Sequence, residues 1–278
     1  MLNLIERKET MKSWTKQLSI PSIESDYNTS STYFKLFPIK TCTPRTLRKL
    51  ETHVSILAPE NSPHEPHVHN DEELIIIISG KVQIIRVDSS GKTKTSNPLS
   101  SGSFIYHDSN QTHTIYSVGP RPAVYICARW NGKKIKKKSD FIRSSDFIPN
   151  YIEEENTLDL EFKTSLVFES QTEFLDKLHC HFSHMKPGAG YEPHKDSHDV
   201  LIILLDGKVE TLGEELESIS IIFYQAGEFH GMKNVGSDIA RYLVFEFHGK
   251  ENLIDRFQIY KLPRLAKSIL KKVKNSVI

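Results

Sequence analysis

Apolar residues in this chain come in short runs, and two of the runs have no polar face. Residues 74–78 read Leu-Ile-Ile-Ile-Ile, and residues 200–205 read Val-Leu-Ile-Ile-Leu-Leu. Successive side chains of a strand point to opposite faces, so a strand of this composition needs cover on both sides. The cover comes from another part of the same chain or from a second copy, and the pattern predicts a homodimer. Residues 82–87, 104–106, 124–128 and 242–247 are also short and rich in β-branched or aromatic side chains, with Gly, Pro, Asn and Ser clusters between them. Short strands at this density predict an all-β fold of antiparallel sandwiches or barrels.

The pattern occurs twice. Arg48-Lys49-Leu50 through Pro59 aligns with Asp176-Lys177-Leu178 through Pro187, which pairs His53 with His181. Each segment leads through a loop to Glu-Pro-His, at Glu65-Pro66-His67 and Glu192-Pro193-His194. The apolar runs end in Gly80-Lys81-Val82 and Gly207-Lys208-Val209. His113 and His230 are each followed after four residues by Val-Gly, at Val118-Gly119 and Val235-Gly236, and residues 123–133 match 240–250 with Tyr125 and Tyr242 in register. This is a two-copy duplication, not a solenoid of many short repeats. The expected division is an N-terminal arm over 1–45, barrels over 46–138 and 139–250, and a basic C-terminal helix over 251–278. The first 30 residues repeat nothing and read as a loose arm or as a strand exchanged with a partner.

Composition changes this picture little. A chain of 278 residues with 38% hydrophobic and 26% charged residues is an ordinary globular protein. Its formal net charge of +1 gives no general attraction to nucleic acid, and no helix-turn-helix or basic recognition helix is evident. The apolar runs are too short to span a bilayer, and residues 1–10 have no apolar signal-peptide core. Three scattered cysteines, Cys42, Cys127 and Cys180, suit buried thiols in a reducing cytoplasm. The tail from Lys261 onward has six basic residues and no acidic one, which leaves a body near −5. Apolar residues in the tail fall close to helical spacing, so weak contact with an anionic membrane surface is a candidate role beside plain packing on its own domain.

The chemistry concentrates in His67-Val68-His69-Asn70-Asp71-Glu72-Glu73. Residues two apart on a strand share a face, so His67 and His69 aim at one point. Asn70-Asp71 is a natural turn, and Glu73 then opens the next strand with its carboxylate toward the same place. His113, from a later strand, completes a set of three imidazoles and one carboxylate. Such a set suits Mn, Fe, Ni, Co, Cu or Zn and leaves about two positions of an octahedral ion open. In the second copy His194 takes the place of His67, Asp196 that of His69 and Val200 that of Glu73. His194, Asp196 and His230 form a reduced second candidate, with His198 or Asp199 as substitutes after a shifted turn. His53, His64, His107, His179, His181 and His184 read individually as loop or strand residues. Arg129 and Tyr125 share one strand face and are candidates for an anionic substrate or a proton.

These residues resemble the cupin superfamily. His67-x-His69-x3-Glu73-x6-Gly80 is similar to the core of the first cupin motif, with Asn61 where its leading glycine is expected. Gly102 to His113 resembles the second motif, but Asp108 and Asn110 replace the usual Pro and Gly. With the duplication, the chain resembles a bicupin of two RmlC-like jelly-roll barrels over about residues 45–250. The resemblance implies a divalent transition metal, Mn or Fe first, in the N-terminal barrel, and a small-molecule substrate. Cupins with such sites include dioxygenases, oxalate-type decarboxylases, isomerases and a bicupin amidohydrolase, so the reading is an enzyme for a small carboxylate, carbonyl or sugar-like substrate. The alternative is a non-catalytic small-molecule binder.

Overall fold

The computed structural model describes residues 12–28, 32–135 and 160–250, and strands dominate it. A short lead contains β1 (Trp14–Gln17) and α1 (Ile20–Asn28). The first barrel holds β2 (Phe34–Cys42), β3 (Lys49–Leu57), β4 (Glu72–Ser79), β5 (Lys81–Val87), β6 (Thr93–Thr95), β7 (Leu99–Ser100), β8 (Phe104–His107), β9 (Thr112–Ser117) and β10 (Ala123–Asn131). The second holds β11 (Phe162–Ser170), β12 (Leu175–Met185), β13 (Gly190–His194), β14 (Asp199–Asp206), β15 (Lys208–Thr211), β16 (Glu214–Glu217), β17 (Ser220–Tyr224), β18 (His230–Asn234) and β19 (Ala240–Gly249). The predicted basic helix over 251–278 lies outside the described residues.

Each barrel is two facing sheets. In the first, β2-β3-β10-β4-β8 faces a sheet of β6, β5 and β7 in which β5 also pairs with β9. In the second, β1-β17-β14-β19-β12-β11 faces β13-β18-β15-β16. The duplication is visible strand for strand: β10 lies between β3 and β4 as β19 lies between β12 and β14. Two strands come from the stretch expected as an arm. β2 joins the first barrel beside β3. β1 crosses to the second barrel, where Trp14 pairs with Phe223 and stacks on its ring at 5.8 Å. The apolar side chains at Trp14, Phe37 and Ile39 pack on the core, which is why this stretch is strand and not loose chain.

The two-faced strands explain the arrangement. Leu74, Ile76 and Ile78 on β4 and Leu201 and Ile203 on β14 fall in one cluster shared by both barrels. The opposite faces fill the barrel interiors, with Ile75 and Ile77 in the first and Val200, Ile202 and Leu204 in the second. Aromatic pairs cross between barrels: Phe104 meets Phe245 edge-on at 5.3 Å, and Trp130 meets Phe247 at 5.1 Å. At roughly 1.5–3 kcal/mol per fully buried large apolar side chain, this shared layer is a major part of the stabilisation. The cover inferred from sequence is therefore the other barrel, and the face on which the expected homodimer rested is already buried within one chain.

Two carboxylates fasten the layer from opposite sides. Glu72 points out of the first barrel and is fully buried. It accepts hydrogen bonds from Trp130 Nε1 at 2.7 Å, Thr172 Oγ1 at 2.8 Å and the Glu173 amide at 2.7 Å. Burial pushes its pKa up to about 7, against the pull of these donors. Asp199, at the matching position of the second barrel, accepts from the Thr46 amide at 2.8 Å and from Thr46 Oγ1 at 2.5 Å. Each barrel thus places an acid against the segment that opens the other. The loops close with matched glycines: a Cβ on Gly80 (φ +76) would sit 2.7 Å from Ala123 Cα, and one on Gly207 (φ +85) 2.7 Å from Ala240 Cα.

Glu72→Ala would strand an indole N–H, a hydroxyl and a backbone amide in the interface. The expected loss is about 3 kcal/mol or more, which lowers the thermal midpoint by about 6–10 °C. A melting curve of the full-length variant within 2 °C of the parent (about 0.5 kcal/mol) would contradict this role for Glu72.

Candidate metal centre

Strand alternation sends Glu72 and Glu73 to opposite sides of β4, so Glu73 enters the first barrel while Glu72 leaves it. Within the barrel Glu73 pairs across the sheet with His107 on β8 and with Arg129 on β10. His113 arrives on β9, and His67 joins it by a two-way backbone bridge, each amide donating to the other's carbonyl at 3.0 Å. The structure brings ligand atoms of His69, Glu73 and His113 within 4.8 Å of one another, and the His67 ring stands beside them. His113 Nε2 lies 2.8 Å and His69 Nε2 3.7 Å from Glu73 Oε2. The ring centres of His67 stand 5.4 Å from His69 and 5.3 Å from His113. Glu73 and His113 form the buried floor, and His67 and His69 are half-buried at the mouth.

The tautomers decide what this cluster can hold. His69 Nδ1 sits 2.8 Å from the Asp71 carbonyl, and His113 Nδ1 sits 2.8 Å from the Gln111 carbonyl. A carbonyl only accepts, so each Nδ1 carries a proton and each ring presents its Nε2 to Glu73. A cation bound between the two Nε2 atoms and the carboxylate would take the place of a proton held there. His69 Nε2 and His67 Nδ1 are buried without a hydrogen-bond partner. Burial first, then the neighbouring imidazoles, lowers the His67 pKa to about 4, so its ring is a neutral donor at neutral pH. The residues present fit a divalent ion.

Glu73 is held from its other side as well. Arg129 Nε donates to Oε1 at 2.8 Å and Cys127 Sγ to the same oxygen at 2.8 Å. Burial alone would raise the Glu73 pKa, but the hydrogen bond with His113, the approach of His69 and the nearby charges keep it well below the usual carboxylate range. The Cys127 thiol is raised well above its ordinary value by burial and then by Glu73, so it stays a neutral donor. Arg129 and Tyr125 both face inward. Their strand parity is readable in the sequence, and Cys127 between them shares that parity, the signal that identifies it as more than a core thiol. His107 stacks on His113 at 3.8 Å, nearly parallel, and has neither ring nitrogen hydrogen-bonded. His53 is buried nearby, its pKa lowered to about 4, first by burial.

The motif departures have local explanations. Asn110, in place of a motif glycine, adopts φ 63, the left-handed conformation that Gly227 adopts with φ 79 at the matching place. In the turn before His67 the left-handed residue is Glu60 (φ 58) and not Asn61.

The second barrel keeps part of the arrangement. His230 Nε2 is 3.1 Å and His194 Nε2 3.7 Å from Asp196 Oδ2. Tyr224 stacks on His230 at 4.0 Å as His107 does on His113. Val200, where the first barrel has Glu73, is buried in the apolar interior, and the His194 side chain is 49% exposed. His198 and Asp199 do not join this cluster: Asp199 faces the other barrel, and His198 lies beside Glu246.

Fold and site together define a two-barrel β protein with a histidine-carboxylate centre in the better-kept barrel. Residues 53–129, within the first barrel, match the family model described as Cupin domain, and the second barrel repeats the strand order of the first. Among solved structures, the chain is similar to a Cupin 2 conserved barrel domain protein from Leptotrichia buccalis, at 13% identity and a TM-score of 0.53. That match covers 86% of this chain and 98% of the other. It is similar to protein Ylba from E. coli at 13% identity and a TM-score of 0.56, over 79% and 84%. A third is the Bacillus subtilis oxalate decarboxylase studied for its Mn(II) centres, at 11% identity and a TM-score of 0.53, over 80% and 78%. At these identities the likeness is one of fold. No curated protein matches the chain in sequence.

Glu73→Gln removes the only anionic ligand while keeping the shape. Its metal affinity is expected to fall by more than the ~10–100-fold typical of lost outer-sphere partners, measured by competition with a chromophoric chelator. Unchanged affinity at this site would remove Glu73 from the ligand set.

Proposed function

We propose that the protein is a metal-dependent bicupin whose N-terminal barrel holds a divalent transition ion through His67, His69, Glu73 and His113. We further propose that it acts there as an enzyme on a small substrate carrying a carboxylate or carbonyl group. The observation that carries this reading is the pair of Nε2 atoms, aimed by carbonyl-bound Nδ1 groups, turned on the Glu73 carboxylate. When bound, such an ion supplies Lewis-acid stabilisation of negative charge on a substrate oxygen, at positions the four side chains leave open.

The residues around it divide the remaining work. Arg129 spends its Nε on Glu73 and brings a guanidinium with further donors to the same spot, which suits binding and orienting a substrate carboxylate. Burial lowers its pKa and the Glu73 charge raises it, with the net shift upward, so it stays cationic. His107 holds the His113 ring in place by stacking. Ile75, Ile77 and Ile105 line the interior behind the site and keep water from that side. Tyr125, also inward, has its pKa raised by burial and therefore stays a neutral hydrogen-bond donor. Mn is the favoured metal and a small carboxylate the favoured substrate. Bacillus subtilis oxalate decarboxylase has Mn(II) centres, and the Lactobacillus farciminis enzyme was solved as a formate complex. The cationic Arg129 favours an anion over a neutral sugar.

Protein produced with ample metal is expected to lose one equivalent per chain on His113→Ala. Arg129→Met is expected to keep that equivalent but weaken oxalate binding to the Mn(II)-loaded protein about 10–100-fold, the value of one or two charge-assisted hydrogen bonds. Water-proton relaxation of bound Mn(II) reads both. Metal content indifferent to His113→Ala would overturn the site, and oxalate affinity indifferent to Arg129→Met would overturn the anionic substrate.

A further inference from the structure

The second barrel carries a histidine group that the motif positions do not account for. Glu246 on β19 stands where the first barrel has Arg129, each four residues beyond the matched tyrosines Tyr242 and Tyr125. Three imidazoles surround its carboxylate from separate places in the chain: His248 on β19, His198 just before β14, and His181 on β12. His248 Nε2 is 2.8 Å from Oε2, His198 Nε2 is 3.4 Å from the same oxygen, and His181 Nδ1 is 3.9 Å from Oε1. The first-barrel counterparts of His198, Glu246 and His248 are Asp71, Arg129 and Asn131, which hold one another or Glu73 by ordinary hydrogen bonds. This second constellation is new to the second copy.

Its distances point to an ion. A hydrogen bond accounts for 2.8 Å, but 3.4 and 3.9 Å are too long or marginal for one. Two ligand atoms on one tetrahedral ion, each about 2.0–2.1 Å from it, stand about 3.3 Å apart. The His181 Nδ1, the atom that faces Glu246 Oε1, is buried and has no hydrogen-bond partner, a polar atom that a cation at this carboxylate would satisfy. The four side chains are 14–24% exposed, enough for an ion to enter. Lys177 lies near His198, and Asp196 contributes negative charge from the neighbouring cluster.

We propose that the second barrel binds a divalent transition ion at Glu246, with His198 and His248 as ligands beside Oε2 and His181 facing Oε1, displaced from the position the duplicated motif would use. One carboxylate with several imidazoles takes Zn(II), Co(II), Ni(II) or Cu(II). The ion ties together β12, β19 and the start of β14. Those last two elements grip the first barrel, since Thr46 Oγ1 donates to Asp199 and to the Phe247 carbonyl between Glu246 and His248. Occupancy therefore stabilises the union of the barrels by mass action.

The test is Co(II) titration of the full-length, chelator-stripped protein, read by visible absorption and stoichiometry. Wild type is expected to take two equivalents, Glu73→Gln and Glu246→Gln one each, and the double variant none. His248→Gln should lose the same equivalent as Glu246→Gln. Retention of the Glu73-dependent equivalent in either variant shows that the chain is folded and keeps the two sites separable. Two equivalents in both Glu246→Gln and His248→Gln would overturn the proposal. So would loss of the second equivalent in Asp196→Asn but not in Glu246→Gln, or a single wild-type equivalent that Glu73→Gln abolishes.

Discussion

The strands β4 and β14 have no face that tolerates water, and the rest of the structure follows from burying both sides of each. One side of each fills its own barrel. The other can be buried at little cost only against its counterpart, so the two barrels share one apolar layer with Phe104, Trp130, Phe245 and Phe247 crossing it. A layer of that kind leaves few places for charge. Glu72 and Asp199 sit there because each carboxylate accepts hydrogen bonds from the opposite barrel as well as from its own.

The same constraint sets up the chemistry. Alternation along β4 makes adjacent glutamates do unlike things: Glu72 fastens the barrels, and Glu73 enters the first interior to meet His69, His113, Arg129 and Cys127. A one-residue slip of β4 would exchange them and destroy both functions. The rigid seat of Glu73 lets a short hydrogen-bonded set of imidazoles be aimed in advance, which is what ion binding requires. In the second barrel the Glu73 position is Val200, and the interior there is correspondingly apolar. Charge returns one strand away, on β19, where Glu246 replaces Arg129.

Much of this was legible in the sequence because it depends on period-two alternation and on spacing. The duplicated barrels, the strands around residues 82–87 and 242–247, and the approach of Glu73 to His113 follow from those rules, whereas His67 forms an isolated bridge and His69 lies between strands. Other features depend on where a strand goes after it forms. Nothing in Trp14–Gln17 says that it will pair with β17 of the second barrel, and the choice between another barrel and a second protomer to cover residues 74–78 needed the tertiary packing. The Glu246 cluster escaped notice because its histidines come from three separate elements, and individually each reads as a strand or loop residue. Cys127 and His107 acquire roles only through the neighbours that β10 and β8 provide.

The account rests on the first barrel being a metal centre, and anomalous diffraction from crystals of the metal-replete protein tests that most directly. It predicts a strong peak at the edge of the bound metal within about 2.0–2.3 Å of the ring nitrogens of His67, His69 and His113 and of a Glu73 oxygen. An anomalous map with no peak among these four side chains, in crystals of protein saturated with Mn, Fe, Co, Ni, Cu and Zn in turn, would contradict it.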